Sequence, residues 1–356
     1  MTAASGRPPS PVDDLLAEAT VLLVAGPGGV GKTTLSAALA ARAARDHGRR
    51  ALVITVDPAR RLAEALGISA SEEAVLVPVG DGPGRLWALM IDMSTSWDQL
   101  VERTAPDAET RRALLTNRLY RTLTQRFVQS HDYIALDHLV DLADDRRYDL
   151  VVVDTPPSVH VLDILDAPDK MADFFGSRLL RWLIAPYGTR VVQVAARPFL
   201  SVAERLLGGP FLSEITEFFW LFSKLQDLFT DRLRAVRRQL DDPSTRYLVV
   251  NTPEAIPTQR ADALIAELAR RGHAASLRLV NRALDRDLAG LQDRLDSIED
   301  PDLREAVADL SAAADRQLVG TAASDDGVAV MLVPMMDEPL DDVDALADLL
   351  GGSRGD

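Results

Sequence analysis

The sequence contains no cysteine. Disulfides, thiolate metal sites, iron–sulfur clusters and cysteine nucleophiles are therefore excluded. Lysine is almost as scarce, since only Lys32, Lys170 and Lys224 stand among 39 basic residues. A lysine kept where arginine otherwise serves is thus mildly informative in itself. Basic charge is in deficit as well, with 54 acidic residues and a formal net charge of -15. That balance argues against a nucleic-acid partner, because non-specific affinity comes mainly from Lys and Arg on phosphates. No run of 18 uninterrupted apolar residues occurs, so no integral membrane segment is expected. Met1–Pro11 is small, polar and proline-rich, without the apolar core of a secretory signal. Residues 1–17 read as a flexible N-terminal tail, and the expected location is cytoplasmic, with peripheral membrane contact left open.

What is present is 356 residues with 47% hydrophobic and 26% charged content, enough for one large domain or two ordinary ones. Short β-branched runs recur at Thr20–Ala25, Ala51–Val56, Leu86–Asp92, Asp149–Asp154, Arg246–Asn251, Ser276–Asn281 and Val328–Val333. Most are nearly continuous in apolar residues, as strands buried on both faces are. Helical spacing fills the gaps, for instance at Thr34–Asp46 and Gln259–Arg271. Strands alternating with helices predict an α/β fold with a doubly wound, mostly parallel sheet. The core is assigned to 18–172 and 243–350.

Residues 173–242 break the alternation. Eight of the nine phenylalanines fall between Phe174 and Phe229, joined by Trp182, Tyr187 and Trp220. Residues 176–238 carry ten Arg or Lys against five Asp or Glu, a local excess of +5 in an acidic chain. This stretch reads as a helical insertion with large apolar faces. Packing those aromatics inward, or against a second subunit, is the plainer alternative.

One motif carries chemistry outright. Gly26-Pro-Gly-Gly-Val-Gly-Lys-Thr33 fits G-x-x-x-x-G-K-[ST], with an apolar strand leading in and a helix leading out. Gly28, Gly29, Val30 and Gly31 would offer backbone N–H groups to phosphate oxygens at a helix N-terminus, with Thr34 next in line. Lys32 would reach the β- and γ-phosphates of a nucleotide, and the Thr33 hydroxyl would ligate Mg²⁺. Asp154 ends the run Leu150-Val-Val-Val-Asp and would emerge at the carboxyl edge of the sheet beside this loop, placed to hold Mg²⁺ through water. Asp57 ends the second strand; it would either orient the attacking water or cap a helix, and the residues alone leave both readings open.

Taken together, Gly26–Thr34, Val56-Asp-Pro-Ala-Arg-Arg-Leu62 and Val153-Asp-Thr-Pro-Pro-Ser-Val-His160 resemble the ArsA/Get-type ATPases of the MinD- and ParA-like class. Asn251-Thr-Pro-Glu254, Leu279-Val-Asn281 and Val333-Pro334 resemble that family's later nucleotide-site strands. The resemblance implies a P-loop fold and an ATPase that switches between open and closed dimers. It implies that Asp57 positions water and that Asp154 to His160 form a γ-phosphate-sensing switch. It also implies that Asn281 hydrogen-bonds adenine while Pro334 and Met335 border the base. The insertion lies where the family binds clients, so its expected partner is an apolar client or a membrane-associated protein. His160 is the one histidine in these motifs.

Three departures shape the expectation. The family's usual first loop lysine, which reaches the partner's phosphates, is replaced by Pro27. A trans-acting charge can be worth roughly 10³–10⁵ in rate, so hydrolysis by this chain alone is expected to be slow unless a paralogous ATPase supplies the lysine. Homodimer and heterodimer are both compatible, and a regulatory nucleotide-binding subunit with weak hydrolysis is the alternative function. The absence of cysteine disfavours arsenite. The absence of methionine between Met171 and Met331 removes the adaptable surface typical of promiscuous grooves.

Overall fold

The computed structural model describes residues 10–55, 61–69, 71, 73–80, 82–91, 93–126, 138–155, 173, 176–284, 295, 298–322, 327–336, 340 and 342–351. Eight strands form one sheet: β1 (Val21–Ala25), β2 (Arg50–Thr55), β3 (Val75–Val77), β4 (Arg85–Met90), β5 (Leu150–Asp154), β6 (Thr245–Asn251), β7 (Ala275–Ala283) and β8 (Val330–Pro334). Their order is β3-β4-β2-β5-β1-β6-β7-β8. Every neighbouring pair is parallel except β3 with β4. The seven runs expected to be strands are strands, and the α/β doubly wound class holds. β3 was not foreseen: the apolar run that holds it, Ala74–Val79, is interrupted by Pro78, and only three of its residues form an edge strand, with Leu76 56% exposed.

The chain divides into two compact units, Met1–Met90 with Leu142–Val161 and Asp242–Asp356, and Ile91–Asp141 with Leu162–Asp241. The first holds the sheet. Its central helix α2 (Lys32–His47) is bounded by Gly31 and Gly48, both left-handed, and Gly48 closes it by donating its N–H to the Ala43 carbonyl. Six alanines let this helix sit close to its neighbours, and Leu35, Leu39 and Ala37–Ala41 are wholly buried. Each such leucine is worth about 1.5–3 kcal/mol on burial.

Residues 11–17, which the sequence reading places in a loose tail, lie in helix α1 (Pro11–Glu18). Pro11 opens the helix, the Ser10 N–H donates to Asp13 Oδ2 at 2.8 Å, and Val12 and Leu16 are fully buried. Asp13 then accepts from Arg42 Nε at 2.8 Å and faces His47 Nε2 at 3.0 Å, tying α1 to α2. A five-residue helix α3 (Arg61–Ala65) follows β2.

The second unit is helical. It comprises α4 (Met93–Thr104), α5 (Ala108–Thr116), α6 (Arg118–Arg126), α7 (Arg178–Leu183), α8 (Arg190–Leu207), α9 (Gly209–Ser223) and α10 (Gln226–Asp241). It therefore draws on residues 91–141 as well as on the aromatic stretch. Val101, Leu114, Tyr120, Phe218, Leu221 and Leu225 form its core. The Tyr120 hydroxyl donates to Asp98 at 2.8 Å, and burial followed by that carboxylate pushes the phenol pKa up. Phe218 stacks on Phe222, Tyr187 stacks on Trp220, and Lys224 Nζ lies 3.9 Å from the Trp220 ring centre. Phe218 is thus buried with Phe219, Trp220 and Phe222 packed against its cluster, whereas Trp182, Tyr187 and Phe211 remain exposed. Among the described residues, α11 (Ala255–Arg270), α12 (Pro301–Ala322) and α13 (Val343–Leu349) also belong to the first unit. No helix of the described residues is long and apolar enough to cross a membrane.

Candidate functional site

The glycine-rich loop joins β1, the middle of the sheet, to α2. Gly29 and Gly31 take φ values of +81° and +92°, a region that L side chains seldom occupy. At Gly26 the constraint is space, because a Cβ there would overlap the Val250 carbonyl of β6. The turn brings Lys32 back across its own loop. Its ammonium, in a residue 8% exposed, donates to the carbonyls of Gly26 and Pro27, both at 3.0 Å. A cation is thus held at the mouth of a loop whose backbone turns as an anion nest requires.

Beside the loop, parallel pairing sets Asp154 level with Val24 on one side and Thr55 on the other. Asp154 is buried, and its Oδ2 accepts from the Thr33 hydroxyl at 2.7 Å and from the Thr55 hydroxyl at 2.9 Å. A carboxylate gathered with hydroxyl oxygens is the hard donor set that suits Mg²⁺. The adjacent Thr155 hydroxyl donates to the Val24 carbonyl at 2.8 Å, pinning the start of the segment that follows β5. Thr55 did not figure among the expected site residues. Its signal was its place as the last residue of a strand neighbouring Asp154, which local spacing cannot show.

The ends of β6 to β8 form the other flank. Asn281 Nδ2 donates to the Val30 carbonyl at 2.9 Å, so this side chain meets the phosphate loop directly. Pro334 pairs with Ala283, and the Met335 N–H donates to the Ala283 carbonyl at 2.9 Å, leaving Met335 61% exposed. Beneath them the guanidinium of Arg278, which is 3% exposed, donates to Asn251 Oδ1 at 2.8 Å and to Asp262 at 2.7 Å. Asn251 in turn donates to the Thr252 carbonyl at 2.8 Å. Glu254 is the N-cap just before α11, and the Thr252 hydroxyl together with its own N–H holds its carboxyl below the usual range. The arginine inside an apolar strand, Ser276-Leu-Arg-Leu-Val-Asn281, was the sequence signal for this network, since a buried charge needs partners.

The structure thus places Lys32, Thr33 and Asp154 together, with Gly28, Gly29, Val30, Gly31 and Thr34 on the same loop and helix start, and with Asn281 against that loop. Asp57 and His160 lie outside the described residues. Among those described, no group of three or more His, Asp or Glu forms a separate metal cluster.

Comparison with known proteins identifies the family. Residues 19–296, well over half of the chain, match the family model described as anion-transporting ATPase. An ATPase ASNA1 homolog 2 of Paramecium tetraurelia is 25% identical over 259 residues, 70% of this chain and 71% of the relative. ATPase get3 of Pyrenophora tritici-repentis is 26% identical over 250 residues, covering 69% and 68% respectively. An uncharacterized Streptomyces coelicolor protein reaches 31% identity over 267 residues, 75% of this chain and 63% of that one. The parallel sheet carries a glycine loop at its centre with Lys32, Thr33 and Asp154 beside it, and these matches show that the chain belongs to the anion-transporting, ArsA/Get-type ATPase family.

Proposed function

We propose that this ATPase binds MgATP in the Gly26–Thr33 loop and uses nucleotide-dependent closure of a dimer to control an apolar partner held by residues 173–242. The observation that carries the nucleotide part is the meeting of Thr33, Thr55 and Asp154 on one carboxylate oxygen beside the glycine loop. Thr33 and Asp154 would hold Mg²⁺, which when bound supplies charge to the transferring phosphoryl group. Lys32 would exchange its two loop carbonyls for phosphate oxygens, and the loop N–H groups would orient the triphosphate. Asp57 would orient the attacking water. Asn281, Pro334 and Met335 would border the adenine.

The partner part is supported by α8. Val191, Val194, Val202 and Leu206 are 80%, 57%, 57% and 79% exposed, and they fall within about 120° of one helix face at 100° per residue. A row of large aliphatic side chains in water marks an interaction surface. Its chemistry fits an apolar helix or a membrane-associated protein. The local excess of basic residues also suits an anionic bilayer surface, which co-flotation with anionic vesicles would show and its absence in every nucleotide state would exclude.

Pro27 supports a second reading, in which the chain is a weakly hydrolysing regulatory half. Mg²⁺-ATPase activity measured over a wide range of protein concentration, with Lys32→Ala as blank, separates the two. A specific rate rising with concentration supports self-dimerisation into a competent site. A rate equal to the blank alongside tight ATP binding supports the regulatory subunit.

A further inference from the structure

We propose that Asn281 is a positioning residue for the phosphate loop, so that one carboxamide couples base recognition to the shape of the phosphate nest. The inference rests on the nucleotide site proposed above and goes beyond adenine contact. Three observations carry it. Asn281 Nδ2 donates to the Val30 carbonyl at 2.9 Å, a link across 251 residues of sequence to the middle of the glycine loop. The same Nδ2 occupies the space that a Cβ on Gly31 would fill. Gly31 therefore serves two ends, its left-handed backbone and the admission of this amide. Finally, β7 does not run straight at this point. Its register with β8 shifts between Val280 and Ala283, and Arg282, next to Asn281, has φ of +56°. A bulge with a non-glycine left-handed residue is a means of re-aiming a side chain and persists only where the surroundings hold it.

The donor count makes the coupling workable. A carboxamide has two N–H donors and an oxygen with two lone pairs. One N–H holds the Val30 carbonyl, while the other N–H and the oxygen stay available to the edge of a base. Fixing the Val30 carbonyl fixes the peptide that joins Val30 to Gly31, and with it the Gly31 N–H that faces phosphate. Filling the base site would thus stiffen the nest, and losing the amide would loosen it even for a ligand without a base.

That last consequence is the test. Binding of MgATP and of magnesium tripolyphosphate, which has no base, is measured for the full chain and for Asn281→Ala and Asn281→Asp, with kcat and KM for ATP. Circular dichroism and a melting curve establish folding. The aspartate keeps the side-chain size and sets an acceptor against the Val30 carbonyl, so it remains informative if the alanine variant unfolds. The expected result is a roughly three- to tenfold loss of tripolyphosphate affinity, as for one hydrogen bond, together with a lower kcat, and a larger loss for Asp than for Ala. Weaker ATP binding with unchanged tripolyphosphate binding and unchanged kcat overturns the proposal and leaves a base contact only. Variants equal to the parent on every measure overturn it too. A parent chain that binds neither ligand overturns the nucleotide site itself, which sets that failure apart.

Discussion

Helices α2 and α8 are of similar length and are both rich in aliphatic residues, yet their surroundings are opposite. In α2 almost every residue from Leu35 to Ala44 is buried, with alanine on most faces. In α8 only Ala196 is buried, while Val191 and Leu206 stand about four-fifths in water. The first arrangement is that of a helix enclosed by a sheet and further helices, where small side chains allow close approach. The second leaves a row of aliphatic side chains in water, at a cost in apolar hydration. The comparison teaches where rigidity and adaptability lie. The glycine loop is anchored on the enclosed helix, and the exposed aliphatic row is on the open one.

The largest effect expected from this division is on catalysis. Lys32→Ala should lower the Mg²⁺-ATPase rate by at least roughly 10²–10³-fold, the scale for removing one charge-stabilising donor. The double variant Val191→Asp with Leu206→Asp should keep the rate of the isolated chain and lose only partner or vesicle binding. Steady-state kinetics and flotation measured on both variants would break the comparison if the α8 variant lost hydrolysis as Lys32→Ala does.

Stability should divide the same way. Leu39→Ala, in the enclosed helix, is expected to cost about 2–5 kcal/mol in urea unfolding. Leu206→Ala, in the open one, should stay within about 0.5 kcal/mol. Equal losses at the two positions would mean that α8 is covered in solution.

The smallest effect concerns the sheet's lower edge, where Asp149 accepts from the Arg50 N–H at 3.0 Å and from its guanidinium at 2.6 Å. The Arg50 side chain, outweighing burial, lowers the Asp149 pKa to about 2 from 3.8. A carboxyl whose pKa is depressed on folding stabilises above its unfolded value and loses that contribution as pH falls through the folded one. The advantage of the parent over Asp149→Asn should therefore be full above about pH 4 and vanish toward pH 2. Because the pair is partly exposed, the difference should be small and shrink further in salt. Unfolding midpoints of both proteins across pH 2 to 7 would check it.

Much of the site was legible in the residues. The glycine loop announces itself because its chemistry is local: a strand, a run of glycines for positive φ, a lysine and a helix follow one another without a break from Val21 to His47. Asp154 was legible because a carboxylate ending a buried apolar strand must emerge at the sheet's edge. Thr55 was not singled out because it matters through Asp154, 99 positions along the chain, whereas Arg278 carried a local signal, a charge inside an apolar strand, that went unread. Residues 11–17 were misleading for a related reason. Eight residues make a marginal helix alone, and α1 forms because Val12 and Leu16 have a core to enter and Asp13 has Arg42 to meet.

The sequence by itself therefore determined the strand–helix alternation, the parallel sheet and the strand–glycine loop–helix unit, all of which follow from periodicity and from residue types at fixed spacing. Tertiary structure decided the strand order, the antiparallel β3, the shared hydrogen bonding of Thr33 and Thr55 to Asp154, and the approach of Asn281 to Val30. Local propensity acts over a few residues, whereas strand order and register are chosen by the burial of the whole sheet. Only once that choice is made do residues more than a hundred positions apart come within reach of one hydrogen bond.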